Sequence, residues 1–353
     1  MKRSAAVAAL AFLVPLGAGV PVAVAQEKPA AAKAITLDGA GANSINPIFQ
    51  AVFYNYHQKY SNVTVDYSPA GSSVGISDIQ QDTVAFGDTE VPMAAKDLAL
   101  AKGTVLQIPV DLGGVAISYN VPGAPKGLKL DASALAAIFE GVITNWDSPA
   151  LALVTGVNNL PNLPIVPVHR ADSSGPGWDL DDYLIQNSSS WVSKIGTSVP
   201  SKTWPLAKVG VGAQLNSGVA QYIAQRPGAI GFVEYGYALE AGFTNAAIRN
   251  KAGDFVNPSA VSIEQAGLRA ASTLSSSNFD IVNEPGAGSY PLANFSWTLL
   301  YQKQANANTA AALQRLFTYV ITTGQLQAAK LGYAPLPLSV VALSKSTLAK
   351  VQA

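Results

Sequence analysis

The chain has 353 residues, 49% of them hydrophobic and 12% charged. That is too apolar for a disordered chain and long enough for one to three domains with a sizeable core. Basic and acidic residues number 22 each, and with neither a basic excess nor a basic run, no nucleic-acid partner and no membrane-surface helix is expected. Cysteine is absent, which excludes disulfides, thiolate metal sites and a lipid-bearing N-terminal Cys; the two histidines, His57 and His169, form no cluster at metal-ligand spacing.

In chain order, Lys2 and Arg3 precede an uncharged apolar stretch from Ala5 to Val20, and Ala23-Val24-Ala25 fits a small-x-small cleavage pattern. Residues 1–25 therefore read as a secretory signal peptide, with Gln26 as the new N-terminus. A membrane anchor fits less well, because Pro15, Gly17, Gly19 and Pro21 interrupt the run. Removing Lys2 and Arg3 leaves 20 basic against 22 acidic residues. Residues 26–34 read as a flexible leader. Ile35–Leu37 is a short apolar run. Apolar residues Ile48, Val52, Phe53 and Tyr56 recur at helical spacing within Pro47–Tyr60, Val63–Tyr67 alternates as a strand, Ile76–Gln81 reads as a helix and Val84–Phe86 as a buried strand. This is the rhythm of an open α/β sheet. Further helices are expected over Ala132–Phe139, Asp179–Gln186 and Ala310–Ile321, and a loop-rich surface over 243–288.

Three segments share one design, a strand end followed by small and hydroxyl residues and then a helix. They are Gly39-Ala40-Gly41-Ala42-Asn43-Ser44, Gly71-Ser72-Ser73-Val74-Gly75 and Arg170-Ala171-Asp172-Ser173-Ser174-Gly175. A helix start offers unpaired N–H groups and partial positive charge, Ser and Asn add donors, and Gly lets an anion approach the backbone. Converging on one point, three such turns would form an oxyanion cage, with Arg170 adding a charged fork. Each turn alone is also explained by ordinary N-capping.

At these turns the sequence resembles the phosphate-binding proteins of Pst-type phosphate ABC transporters. The likeness runs through Leu37-Asp38-Gly39-Ala40-Gly41-Ala42, Ala70 to Gly75, Val84-Ala85-Phe86-Gly87, Asn145-Trp146-Asp147, Arg170 to Gly175, Arg226-Pro227-Gly228-Ala229-Ile230-Gly231, Val233-Glu234-Tyr235 and Leu331 to Pro337, in family order from about residue 35 to 345. The resemblance implies an α/β fold of the periplasmic-binding-protein (type II) kind: two α/β lobes joined by hinge strands, with the ligand in the cleft. Lobe I would comprise 35–110 plus 289–353 and lobe II 111–288, with crossings near Pro109–Gly113 and Ser289–Pro291. It implies inorganic phosphate as ligand, the membrane permease of an ABC importer as partner, a periplasmic or secreted location, a monomer, no enzyme activity and no cofactor. Asn43, Ser44 and Ser72 would bind from one lobe and Arg170, Ser174 and Gly175 from the other, with Asp172 orienting Arg170. A family carboxylate accepts the proton that phosphate carries and sulfate lacks, and its matching position here is Glu90.

Three departures bear on the ligand. The family's usual Asp is replaced by the longer Glu90, with Asp88 a nearby alternative acceptor. Pro176 stands where the family usually has Thr, removing a hydroxyl and an N–H while suiting the helix start. Asn43-Ser44 replaces a typical Thr-Phe. Other readings are therefore a receptor of the same fold for arsenate, sulfate or another tetrahedral oxyanion, a secreted phosphate-ester hydrolase using Ser72 or Ser174, and a secreted surface protein that keeps the fold without transport. The hydrolase lacks a base other than His169 and a G-x-S-x-G elbow. His57 is expected to face solvent and His169 to lie at a surface or strand end, the tryptophans Trp146, Trp178, Trp191, Trp204 and Trp297 to pack in cores or at lobe rims, and Glu234 to hold a structural hydrogen bond near the hinge.

Overall fold

A computed structural model describes residues 33–91, 93–275 and 280–353. The expected signal peptide, and the leader up to residue 32, lie outside the described residues. The alternating run after Ala34 forms β1 (Ile35–Gly41), followed by α1 (Asn46–Lys59), β2 (Val63–Pro69), α2 (Ser72–Gln81) and β3 (Phe86–Thr89). Ile48, Phe49, Val52, Phe53 and Tyr56 fill the buried face of α1, and Pro47 sits in its first turn, where a missing N–H costs nothing. Phe49 and Phe53 meet Phe86 of β3 edge-on, which seats α1 on the sheet. Several expected boundaries move: two later helices start at Gly175 rather than Asp179 and at Ala307 rather than Ala310, and two more shifts lie at the first turns. Helix α2 begins at Ser72 rather than Ile76, because Gly71 takes φ +105° and lets the chain turn into the helix there. Strand β3 begins at Phe86 rather than Val84, because its pairing with β1 runs from Phe86 to Asp88.

A short helix α3 (Ala95–Leu98) leads to β4 (Val105–Tyr119), which carries the architecture. After it come β5 (Lys129–Leu130), α4 (Ala132–Phe139), α5 (Pro149–Thr155), β6 (Val166–Arg170), α6 (Gly175–Asn187), α7 (Ser189–Ile195), β7 (Val211–Ala213), α8 (Leu215–Gln225), β8 (Ala229–Glu234) and α9 (Tyr235–Glu240). The chain finishes through β9 (Thr244–Asn245), β10 (Ala247–Arg249), β11 (Phe255–Val256), α10 (Ala260–Ala270), β12 (Ala293–Tyr301), α11 (Ala307–Val320), a 3-10 segment (Thr323–Leu331) and α12 (Leu338–Leu348).

The main sheet runs β2-β1-β3-β12-β4-β8-β6-β7, with β9 against the end of β4; β11, β10 and β5 form a small second sheet. Val105–Gly114 of β4 pair antiparallel with β12, and Val115–Tyr119 then pair with β8. One continuous strand thus joins the parallel set β1–β3 to the parallel set β6–β8. Asp111 faces Ser296 and Pro109 faces Trp297, leaving Val110 as a bulge that bends β4. Carbonyls freed there are used: Pro109 accepts from Ser344 and Val110 from Gln325.

The 243–288 region is not only loop. Helix α10 buries Ile263, Ala266, Gly267 and Ala270. Its small residues, which suggest a surface by composition, permit close approach instead: a Cβ on Gly267 would lie 2.4 Å from Leu112 of β4.

Candidate functional site

The first two turns meet at the end of β3. Gly41 takes φ +147°, and a Cβ there would lie 2.0 Å from the Asp88 carbonyl oxygen. A Cβ on Gly75, in α2, would lie 2.2 Å from the same oxygen and 2.8 Å from the Gly41 Cα. Glycine at both positions is what brings the two helix starts together. Capping does not account for their polar residues, since neither α1 nor α2 has a side-chain cap. Asn43 and Ser44 are buried and point across the sheet instead, to Asn216 at the start of α8. Oδ1 of Asn43 accepts the Asn216 N–H at 2.9 Å, and Oγ of Ser44 accepts from Asn216 Nδ2 at 3.0 Å. Ser72 Oγ accepts the N–H of Glu90 at 3.3 Å.

The third turn leaves β6 at Arg170, which is 2% exposed. Its Nε donates to Asp172 Oδ1 at 2.8 Å and its Nη2 to Oδ2 of the same carboxylate, a two-pronged pair. Its Nη1 is buried with no hydrogen-bond partner among the described residues. Asp172 also accepts the N–H of Leu215 at 3.0 Å, so the arginine's orienting residue fixes the start of α8 as well. Ser174 does cap its helix, accepting from Gly177 N at 3.1 Å. Pro176 sits in the first turn of α6, which proline tolerates.

Glu90 lies between the turns. A Cβ on Gly175 would come within 2.2 Å of Glu90 Oε2, so the longer carboxylate fits only because Gly175 is glycine. Burial pushes the Glu90 carboxyl up to about 7, against a hydrogen bond from Ser44 and the Arg170 charge, which both pull it down. Asp88, the alternative acceptor, has both carboxylate oxygens engaged elsewhere. Strand β3 stops at Thr89, and the Asp88 carboxylate is taken up by Ser296 at 2.7 Å and Thr298 at 3.2 Å on β12. Further contacts join the parallel sets around the site: Ser73 Oγ to Ser173 Oγ at 2.6 Å, Lys202 to Asp97 at 3.0 Å, and Tyr237 Oη to the Asn43 carbonyl at 3.0 Å.

Hydrogen bonds tie Asn43 and Ser44 to Asn216, Ser72 to Glu90, and Arg170 to Asp172, and Gly175, which follows the capping Ser174, packs against Glu90. Asn216 and Tyr237 were not foreseen. The signal for Asn216 is a fourth strand–turn–helix step, Val211–Ala213 leading through Gln214 into α8. Both histidines are less exposed than surface positions would be. His169 lies at the end of β6, one of the two places expected for it, but is buried, hydrogen-bonded to the Arg170 carbonyl and stacked on Trp204, because β6 is an interior strand. His57 is half-buried, its Nδ1 2.8 Å from the Val63 carbonyl. Glu234 is fully buried and accepts the Gly114 N–H at 2.9 Å, close to the β4 bulge. Trp146, Trp191, Trp204 and Trp297 are buried, and Trp178 partly so.

Residues 24–323 match the family model described as a PBP superfamily domain. The phosphate-binding protein PstS of Pasteurella multocida (strain Pm70) is 35% identical over 311 residues, covering 88% of each chain. That of Haemophilus influenzae is 33% identical over 317 residues, covering 89% of this chain and 93% of its own. Among solved structures, a phosphate-binding protein from Stenotrophomonas maltophilia superposes with a TM-score of 0.66 over 89% of this chain and 94% of that one, at 17% identity, which speaks for a common fold. The curled mixed sheet is a periplasmic-binding-protein-like fold, and the chain belongs to the PstS family of phosphate-binding proteins within the PBP superfamily.

Proposed function

We propose that this protein captures inorganic phosphate and hands it to the permease of an ABC importer after export. The observation that carries this reading is Arg170. It is buried, neutralised on one edge by Asp172, and keeps Nη1 unmatched beside Glu90. A buried cationic N–H needs an acceptor, and a tetrahedral oxyanion supplies one. Asn43, Ser44 and Ser72 would line one side of the anion and Arg170, Ser174 and Gly175 the other. The halves would be 35–110 with 289–353 against 111–288, with the bulge of β4 as the bending point. The relatives are named for phosphate binding, and no helix of the described residues is long and apolar enough to cross a membrane.

Binding rather than hydrolysis fits the serines. Ser72 Oγ accepts from the backbone of Glu90 and Ser174 Oγ from that of Gly177, and among the described residues no hydrogen bond joins either hydroxyl to His169. An activated nucleophile requires a base within hydrogen-bond reach.

A second reading, another tetrahedral oxyanion, rests on Glu90 and Pro176. Calorimetry on the full chain, freed of bound anion by unfolding and refolding, separates the two. Saturable one-site phosphate binding with no sulfate heat at slightly alkaline pH supports the phosphate receptor. A preference for sulfate, or silence with both anions, overturns it.

A further inference from the structure

Asn216 is fully buried and bridges three segments of chain. Its Oδ1 accepts the backbone N–H of Glu234 at 3.0 Å, while its Nδ2 donates to Ser44 Oγ at 3.0 Å. A peptide N–H only donates, so Oδ1 must face Glu234 and the amide nitrogen must face Ser44. The Ser44 hydroxyl therefore accepts from Asn216. It has a single proton, which is left for the Glu90 carboxyl, whose ionised form the Ser44 hydroxyl favours. The sequence Glu234 N–H, Asn216, Ser44, Glu90 has one direction, imposed by a peptide group that cannot reverse.

We propose that Asn216 is a positioning residue for ligand specificity: by directing the Ser44 proton at Glu90, it presents that carboxylate to the ligand as a hydrogen-bond acceptor. This rests on the phosphate reading above. A ligand bearing an O–H satisfies the acceptor, whereas a fully deprotonated anion meets a lone pair and a like charge.

The setting makes such a device useful. Around Glu90, Asp88 on β3, Asp111 on β4, Asp179 on α6 and Glu234 on β8 all add acidic groups, and Tyr67 on β2 and Tyr333 are buried phenols. Against this, the Ser44 hydroxyl and the charge of Arg170 on β6 favour the ionised form of Glu90. Without a fixed donor, Glu90 would retain its proton and could donate it to sulfate.

The test is calorimetric titration of the refolded, anion-free full chain with phosphate and with sulfate, across roughly pH 5.5 to 8.5, for wild type, Asn216→Asp, Ser44→Ala and the double variant. Asn216→Asp keeps the shape and the acceptor for Glu234, and its ionised form, favoured at the alkaline end of the range, cannot donate to Ser44. At alkaline pH, sulfate affinity should rise about tenfold in each single variant, and the midpoint of its pH profile should move up by about one unit. The double variant should match Ser44→Ala, because Asn216 acts through Ser44. Unmoved sulfate profiles overturn the proposal. So do additive effects, which would mean that the new carboxylate acts on Glu90 by charge alone. If Asn216→Asp does not fold, an unmoved profile in Ser44→Ala overturns the proposal and an upward shift supports it. Wild type that fails to bind phosphate overturns the phosphate reading and this inference together; wild type that binds phosphate, with unmoved variants, sinks only the inference.

Discussion

Glu90 has its carboxyl raised from 4.5 to about 7, chiefly by burial. A raised folded value means that the neutral form is favoured by folding. The stabilisation is complete below the unfolded value of 4.5 and is lost as pH rises towards 7. For the anion-free protein, Glu90→Gln should remove this loss and raise stability at pH 8 by up to about 3 kcal/mol, measured by thermal or denaturant unfolding at pH 5 and pH 8. On the proposed phosphate reading, the same titration governs specificity. As pH falls from about 8.5 to about 7, sulfate affinity should rise about tenfold per unit and then level off, because protonated Glu90 donates to an anion that ionised Glu90 repels. A flat sulfate profile would contradict this assignment. Arg170→Lys should weaken phosphate binding by at least about a hundredfold, since Lys cannot span Asp172 and a ligand with one rigid fork. The departures from the family pattern also resolve at this scale. The extra methylene of Glu90 is accommodated by Gly175, and Asp88 is occupied by Ser296 and Thr298.

At the level of elements, the site depends on how closely α2 approaches β1 and β3. Gly75→Ala would place a Cβ against the backbone of Asp88 and Gly41, which cannot move aside as a flexible side chain can. A loss of about 3 kcal/mol or more in unfolding free energy is expected, with weaker phosphate binding because the Ser72 end of α2 shifts with it. Retention of full stability in a denaturant titration would show that α2 has room. Helices α1 and α11 were legible from spacing, because each sets a buried apolar face against a polar one over 14 residues; α4 and α6 were expected as helices too, although most residues of each are buried. Helix α10 was not legible. Its buried face, Ile263, Ala266, Gly267 and Ala270, does recur at helical spacing, but the Ala-, Ser- and Gly-rich composition of the region read as loop.

For the whole molecule, the parallel sets β1–β3 and β6–β8 are joined through β4 and β12 and meet across the site through Asn216–Ser44, Ser73–Ser173 and Lys202–Asp97. If the two halves open to admit ligand, contacts made only in the closed form add to affinity by slowing release. Lys202→Met removes an ion pair that is partly solvated, so its effect should be modest: up to about fivefold weaker phosphate binding, expressed in the dissociation rate and shrinking at high salt. Stopped-flow release with Trp178 as reporter would check it; a change confined to the association rate would argue against closure through this pair.

Sequence alone determined the class of the site. Strand–turn–helix steps of glycine and hydroxyl residues, one bearing Arg170 and Asp172, are local features, and helix starts bind anions by backbone geometry that needs no distant partner. The family likeness placed Glu90 among them. Only the tertiary structure decided which polar group faces which. Asn43 and Ser44 were expected to bind ligand, with ordinary capping as the alternative, yet they bond to Asn216, more than 170 positions away. Asp88 and Glu90 were both candidate acceptors until pairing with β12 claimed one of them. Hydrogen-bond direction and burial are properties of neighbours in space, and a chain of letters carries neither until the sheet has set its register.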